Sequence, residues 1–190
     1  MENILENEVT ASEMQNNDLE FLIDLWHNPD VMKYADEFPK MRGWSRSDDP
    51  QVAWEEYMKK RARFGNSYTQ VILRLYDDCI GESFFFPLPE AYTFGKWSKP
   101  NAVKSFMGDI KLLPNYWGKG LASKGMLLVV KYIFTKTECE LFVVPPHRLN
   151  PAAIRVYEKA GFILFSGMRS WRNHKIMELT KGRAQELFSL

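Results

Sequence analysis

Cysteine is almost absent from this chain. Cys79 and Cys139 are the only two among 190 residues. Neither belongs to a CxxC pair, and no histidine stands at metal-ligand spacing from either. This argues against a disulfide framework and against a structural zinc site. Flanking strand-like sequence makes each a buried structural thiol, and no metal site is expected. Histidine is scarce too, and His27, His147 and His174 show no partner pattern. Charge of one sign is not in excess: 25 Lys and Arg face 24 Asp and Glu, a net charge of +1. Such a chain has no global field for a phosphate backbone, so nucleic acid is not expected as a partner. Long apolar runs are missing as well. The longest, Met126 to Val130, is far too short to cross a bilayer, and no membrane partner is expected. Met1 to Thr10 is acidic and lacks the basic and apolar regions of a signal peptide. A soluble, cytoplasmic protein is expected. No repeat, low-complexity tract or linker divides the chain.

What is present is aromatic. Thirteen Phe, eight Tyr and six Trp within a 45% hydrophobic composition supply enough apolar surface for a continuous core. Glu6 to Met14 reads as a first strand. A helix through Phe21, Leu22, Leu25 and Trp26 follows, capped within Asn16 to Asp18, interrupted at Asn28-Pro29-Asp30 and resumed from Val31 to Tyr34. Ser47 to Asp49 before Pro50 starts another helix, which ends near Gly65. Tyr68 to Tyr76 and Cys79 to Phe86 form a hairpin about Asp77-Asp78. Phe84, Phe85 and Phe86 read as packing residues. Pro87 to Pro100 is a long connection containing Tyr92, Phe94 and Trp97, and a loop of that length is more often functional than merely connective. Ala102 to Leu113 is a strand, Gly118 to Phe134 a helix, Glu140 to Val144 a strand and Asn150 to Lys159 a capped helix. Strand candidates Phe162 to Met168 and His174 to Leu179 follow. The order describes a mixed α/β domain.

The segment from Leu112 to Ala122 carries the first chemical signal. A strand runs into a glycine turn, and the turn opens a helix. Gly118 and Gly120 let backbone N–H groups approach a ligand closely. The first helical turn and the positive end of the dipole favour a phosphate, with Lys119 at the rim. Two familiar phosphate loops fail against these residues. A P-loop requires Lys and Ser/Thr where Met126 and Leu127 stand. A dinucleotide fingerprint requires glycine or alanine where Ser123 stands, and its first strand belongs near the domain start. Glu138 and Glu140 lie where its ribose-binding acid would be sought. The second signal is Asn150 to Phe162: Asn150 suits an N-cap, Pro151 the first helical position and Gly161 the C′ position. Asn150 and Tyr157 are two turns apart and share one face.

Together these segments resemble the two acetyl-CoA motifs of the GNAT N-acetyltransferase superfamily. The first motif is R/Q-x-x-G-x-G/A, and Trp117 to Ala122 matches it at Gly120 and Ala122. Trp117 departs from the usual Arg or Gln, a position that contributes mainly its backbone N–H. Trp117 and the stretch Leu19 to Tyr34 are similar to the branch acetylating N-terminal alanine of ribosomal proteins. The second motif is similar to that of aminoglycoside 6′-N-acetyltransferases. The resemblance implies one domain over residues 1–190, with a mixed sheet of about six to seven strands, flanking helices and a splayed strand pair at the cofactor site. Residues 102–180 would carry the cofactor motifs and 1–65 a helical acceptor-side region.

The resemblance also implies roles. Ile110 and Leu112 would meet the pantetheine arm through main-chain groups. The N–H groups of Trp117, Gly118, Lys119, Gly120, Leu121 and Ala122 would hold the diphosphate, and Asn150 the cofactor arm. Tyr157 would protonate the departing thiolate. Asp109 is the first candidate for the base that frees the attacking amine, and Glu82 the second. Acceptor choice would lie in Glu37 to Asp49 and Pro87 to Pro100. The expected activity is direct acetyl transfer from acetyl-CoA to a primary amine of a peptide N-terminus or small molecule, by a monomer or homodimer. The competing expectation is a CoA-binding sensor without turnover.

Overall fold

Apolar residues at alternate or successive positions set strands wherever turn residues bound them, as the computed structural model shows for most of the strands expected. It describes residues 9–35, 50–63, 67–167 and 172–190. Caps expected at Ser47 to Asp49, the helix end near Gly65, the acceptor segment Glu37 to Asp49, the residues before Val9 and Met168 all lie outside them. The strands are β1 (Val9–Glu13), β2 (Thr69–Leu75), β3 (Asp78–Pro87), β4 (Thr93–Phe94), β5 (Trp97–Ser98), β6 (Ser105–Leu112), β7 (Leu141–Val144), β8 (Ile163–Leu164) and β9 (Met177–Thr180). The helices are α1 (Leu19–His27), α2 (Pro29–Met32), α3 (Pro50–Arg63), α4 (Leu121–Lys136), α5 (Pro151–Lys159) and α6 (Lys181–Phe188). Seven strands form one mixed sheet in the order β1-β2-β3-β6-β7-β9-β8.

The chain divides into two compact units, Met1–Phe84 with Ile110–Gly125, and Phe85–Asp109 with Met126–Leu190. In the first, β1 pairs antiparallel with β2 from Val9↔Leu75 to Glu13↔Val71. Leu22, Leu25, Ile72, Leu73 and Ile80 are fully buried there. Gly81 is required by close approach: a Cβ would lie 2.2 Å from the Lys111 carbonyl oxygen. Asp18 does not cap α1 with its side chain. It accepts from the Gln15 N–H at 2.9 Å and pairs with Arg74, closing the turn before the helix. Asn28 interrupts the helix by capping α2, its Oδ1 accepting from the N–H groups of Asp30 and Val31.

In the second unit β6 runs parallel to β7 from Ser105↔Leu141 to Met107↔Val143, and β7 pairs antiparallel with β9. The β6–β7 ladder therefore stops five residues before β6 ends at Leu112. Phe85 is buried against the rings of Phe106, Tyr132 and Phe142, which is packing as expected.

Several elements differ from the sequence reading: the strand expected from Phe162 to Met168 is only Ile163–Leu164 among the described residues, and the one expected from His174 begins at Met177. The connection Pro87 to Pro100 contains a hairpin, β4–β5, turning at Gly95 with φ of 64°. Its Phe94 and Trp97 are buried, and the Trp97 indole N–H donates to Glu178. Those aromatic side chains fasten the segment and are not displayed to an acceptor. Helix α6 was not expected at all. Thr180 caps it by accepting from the Arg183 N–H, and the Arg183 side chain donates to the Gly161 carbonyl at 2.8 Å.

Candidate active site

In the first unit, β6 ends where the Leu113 N–H donates to the Ile80 carbonyl at 2.9 Å. Pro114 to Tyr116 then make one 3₁₀ turn. The next two glycines hold φ of 75° at Gly118 and 78° at Gly120, a region that penalises any side chain. A Cβ at either would meet nothing within 4 Å, so the turn is open on that side. Helix α4 begins at Leu121, and its first backbone bond here runs from the Lys124 N–H to the Gly120 carbonyl. Among the described residues no carbonyl accepts from the N–H groups of Gly118, Lys119, Gly120, Leu121, Ala122 or Ser123. A row of six such donors at a helix start suits an anion. Lys119 supplies a cation at the rim, its Nζ lying 5.7 Å from the Tyr116 ring centre.

Trp117 departs from its expected part. Its backbone N–H donates to the Pro114 carbonyl at 3.0 Å, so it is not offered to a ligand. Its indole N–H donates to the Leu112 carbonyl at 2.8 Å. The cradle therefore starts at Gly118. The Leu112 carbonyl already has one donor, which narrows what that group can offer a cofactor arm. Ile110 is half-buried and the Leu112 side chain is buried.

Beside this strand lies a polar chain that the sequence did not reveal. Glu82 is fully buried, and its two oxygens are taken: Oε1 by Lys111 Nζ at 3.2 Å and Oε2 by the Gln70 side-chain amide. Tyr68 donates to Gln70 Oε1 at 2.9 Å. The Lys111 ammonium also sits 4.0 Å from the Trp26 ring centre and 5.0 Å from that of Phe84. Both oxygens of this carboxylate are thus engaged by neighbours of the same unit. Glu82 is therefore better suited to a structural ion pair than to acting as the base.

The second motif lies in the second unit. Asn150 caps α5 with its Oδ1 accepting from the Ala153 N–H at 3.1 Å, an arrangement that leaves its amide NH₂ for another partner. Gly161, at φ of 88°, closes the helix. Its N–H donates to Glu158, and the Phe162 N–H donates to the Tyr157 carbonyl at 3.0 Å, the two bonds of a Schellman cap. The Tyr157 ring is buried against Phe162 at 5.6 Å, so the cap also fixes the phenol. Asp109 is half-buried on β6.

The histidines contain one surprise. His147 and His174 form a bridge between the segments that flank them, with ring centres 5.2 Å apart. The Asn150 N–H donates to the His147 carbonyl, so this clasp supports the loop carrying Asn150. Cys139 is buried as expected, whereas Cys79 is only half-buried; burial pushes both thiols up from the ordinary thiol range. Glu138 and Glu140 both serve Lys104, one through its ammonium and the other through its backbone N–H. No group of three or more metal-ligating side chains occurs among the described residues. No described helix is long and apolar enough to cross a membrane.

A β6–β7 ladder that ends at Met107, an open glycine turn at the start of α4 and a capped second-motif helix are the features of an acetyltransferase of the GNAT type. The chain belongs to that family: the acetyltransferase (GNAT) domain matches residues 9–163. The family makes it an N-acetyltransferase with acetyl-CoA as acyl donor. Among solved structures, the chain is similar to the aminoglycoside acetyltransferase AAC(6′)-Ib in complex with paromomycin and acetyl-CoA. The TM-score is 0.72 at 22% identity, over 95% of this chain and 98% of that one. It is also similar to the spermidine N-acetyltransferase of Vibrio cholerae in complex with CoA and spermine, with a TM-score of 0.70 at 18% identity over 94% and 98% of the two chains. At such identities the likeness is one of fold.

Proposed function

We propose that this chain transfers the acetyl group of acetyl-CoA directly to a primary amine of a small molecule or a peptide N-terminus. The observation that carries the reading is the row of open N–H groups from Gly118 to Ser123. A diphosphate suits it: the row of N–H groups without a backbone acceptor includes two glycines with open space where a Cβ would stand, and Lys119 lies between them. When bound, the donor supplies an acetyl group activated as a thioester. This chain's residues do the rest. The cradle orients the donor, and the Asn150 NH₂ group holds its arm. Asp109 takes the proton that must leave the acceptor amine, since a protonated amine is no nucleophile. Tyr157 gives a proton to the departing sulfur. The small-molecule half of the proposal gains support from the fold neighbours, whose bound ligands include paromomycin and spermine. The whole chain acts as one domain in this reading, with α1, α2 and α3 on the acceptor side.

Thermal unfolding with acetyl-CoA, CoA and NAD, followed by thiol release with a panel of amines, tests it. A ligand at about 100 times its dissociation constant adds about 2.7 kcal/mol of stability. Acetyl-CoA and CoA should stabilise, NAD should not, and at least one amine should release thiol. Stabilisation by NAD in place of CoA overturns the cofactor assignment. Stabilisation by CoA without turnover on any amine makes the chain a sensor.

A further inference from the structure

The glycine turn has to be both open and still. Glycine loses the most conformational freedom on ordering, so a cradle built around two of them requires an anchor. The Leu113 N–H makes the last bond to β3, and the Lys124 N–H makes the first bond of α4. Between them the donors meant for the ligand contribute no internal bond among the described residues. Trp117 stands at the first residue of this stretch with extended backbone, φ −71° and ψ 156°. It is tied on both sides: its N–H to Pro114 at 3.0 Å, and its indole N–H to the Leu112 carbonyl at 2.8 Å. The second tie joins the start of the cradle directly to the end of β6. Its ring is nonetheless half exposed, so burial is not what it mainly serves.

We infer that Trp117 is a positioning residue of the donor site, holding the amide cradle against the end of β6 through the hydrogen bond from its indole to the Leu112 carbonyl. This rests on the acetyltransferase reading above. It also gives the departure from Arg or Gln a chemical sense. All three side chains carry an N–H donor on a long arm, and the donor is what the position requires. The residue touches no reacting atom. Its effect reaches the ligand through the geometry of Gly118 to Ser123.

The prediction separates the hydrogen bond from the ring. Trp117→Phe keeps an aromatic ring and loses the donor, Trp117→Gln restores a donor without the ring, and Trp117→Met has neither. Calorimetry would measure binding of 3′-phosphoadenosine 5′-diphosphate, the diphosphate half of CoA, and of S-acetylpantetheine, which lacks the diphosphate. Trp117→Phe and Trp117→Met should weaken the diphosphate ligand by up to about tenfold, the scale of one neutral hydrogen bond, and leave S-acetylpantetheine unchanged. Trp117→Gln should return diphosphate binding to within about threefold of the parent. If Phe binds like the parent, or if Gln is as weak as Met, the hydrogen bond has no positioning role and the inference is overturned. Should the Phe variant fail to fold, the Gln and Met pair decides alone, and loss of folding in both makes Trp117 structural and overturns it too. A parent protein that binds neither ligand overturns the acetyltransferase reading instead, which keeps the two failures distinct.

Discussion

Tyr157→Phe is expected to lower turnover about a thousandfold while leaving CoA affinity within about twofold of the parent. The expected size follows from the role: a positioned acid contributes on the order of a hundredfold to ten-thousandfold. The substitution removes one oxygen and little else. The ring is buried and meets Phe162, and the Schellman bonds that fix this helix end are main-chain bonds any residue makes. Phe should therefore occupy the same place, with a stability change of about 1 kcal/mol. Single-turnover kinetics with a competent amine, alongside calorimetry with CoA, would check both halves. A rate for the variant within about threefold of the parent removes Tyr157 from the proton transfer.

Lys111→Met is expected to destabilise the fold by about 3 to 5 kcal/mol, because it strands the fully buried Glu82 without its ammonium. The cost arises from the partner left behind, so a second change should return much of it. Lys111→Met with Glu82→Gln removes both charges and keeps an oxygen that can accept from Gln70. Urea unfolding of the two variants should show the double substitution at least about 2 kcal/mol more stable than the single one. If the single variant unfolds like the parent, the pair contributes nothing to stability. Glu82 would then return as a candidate base.

These two residues also show what the sequence discloses and what it conceals. Asn150, Pro151 and Gly161 announce α5 because capping is local chemistry: side chain, ring and missing Cβ each act within a few positions. Gly118 and Gly120 were legible as a turn between a strand and a helix, and the structure adds their positive φ values. The Gln70–Glu82–Lys111 chain is different. Its members come from β2, β3 and β6, and nothing local marks a glutamate in an apolar strand as paired with a lysine 29 residues on. The available signal was the presence of polar residues at buried strand positions, which by itself asks for partners without naming them. His147 and His174 escaped for the same reason, since a bridge between distant segments leaves no spacing to read. The hairpin within Pro87 to Pro100 was hidden by its two-residue strands. Helix α6 was missed although Thr180 gave it a cap. At Trp117 the resemblance led to the expectation of a main-chain N–H facing the ligand, whereas that N–H donates to Pro114 and the indole to Leu112, contacts no sequence motif announces.

The central claim is that the amides from Gly118 to Ser123 bind the diphosphate of coenzyme A. Titrating ¹⁵N-labelled protein with CoA and following the Gly118 and Gly120 amide resonances tests it most directly. Both should move downfield and exchange more slowly with solvent as the ligand saturates, while Trp117, already bonded to Pro114, moves less. Saturation by CoA with both glycine resonances unmoved would contradict the account.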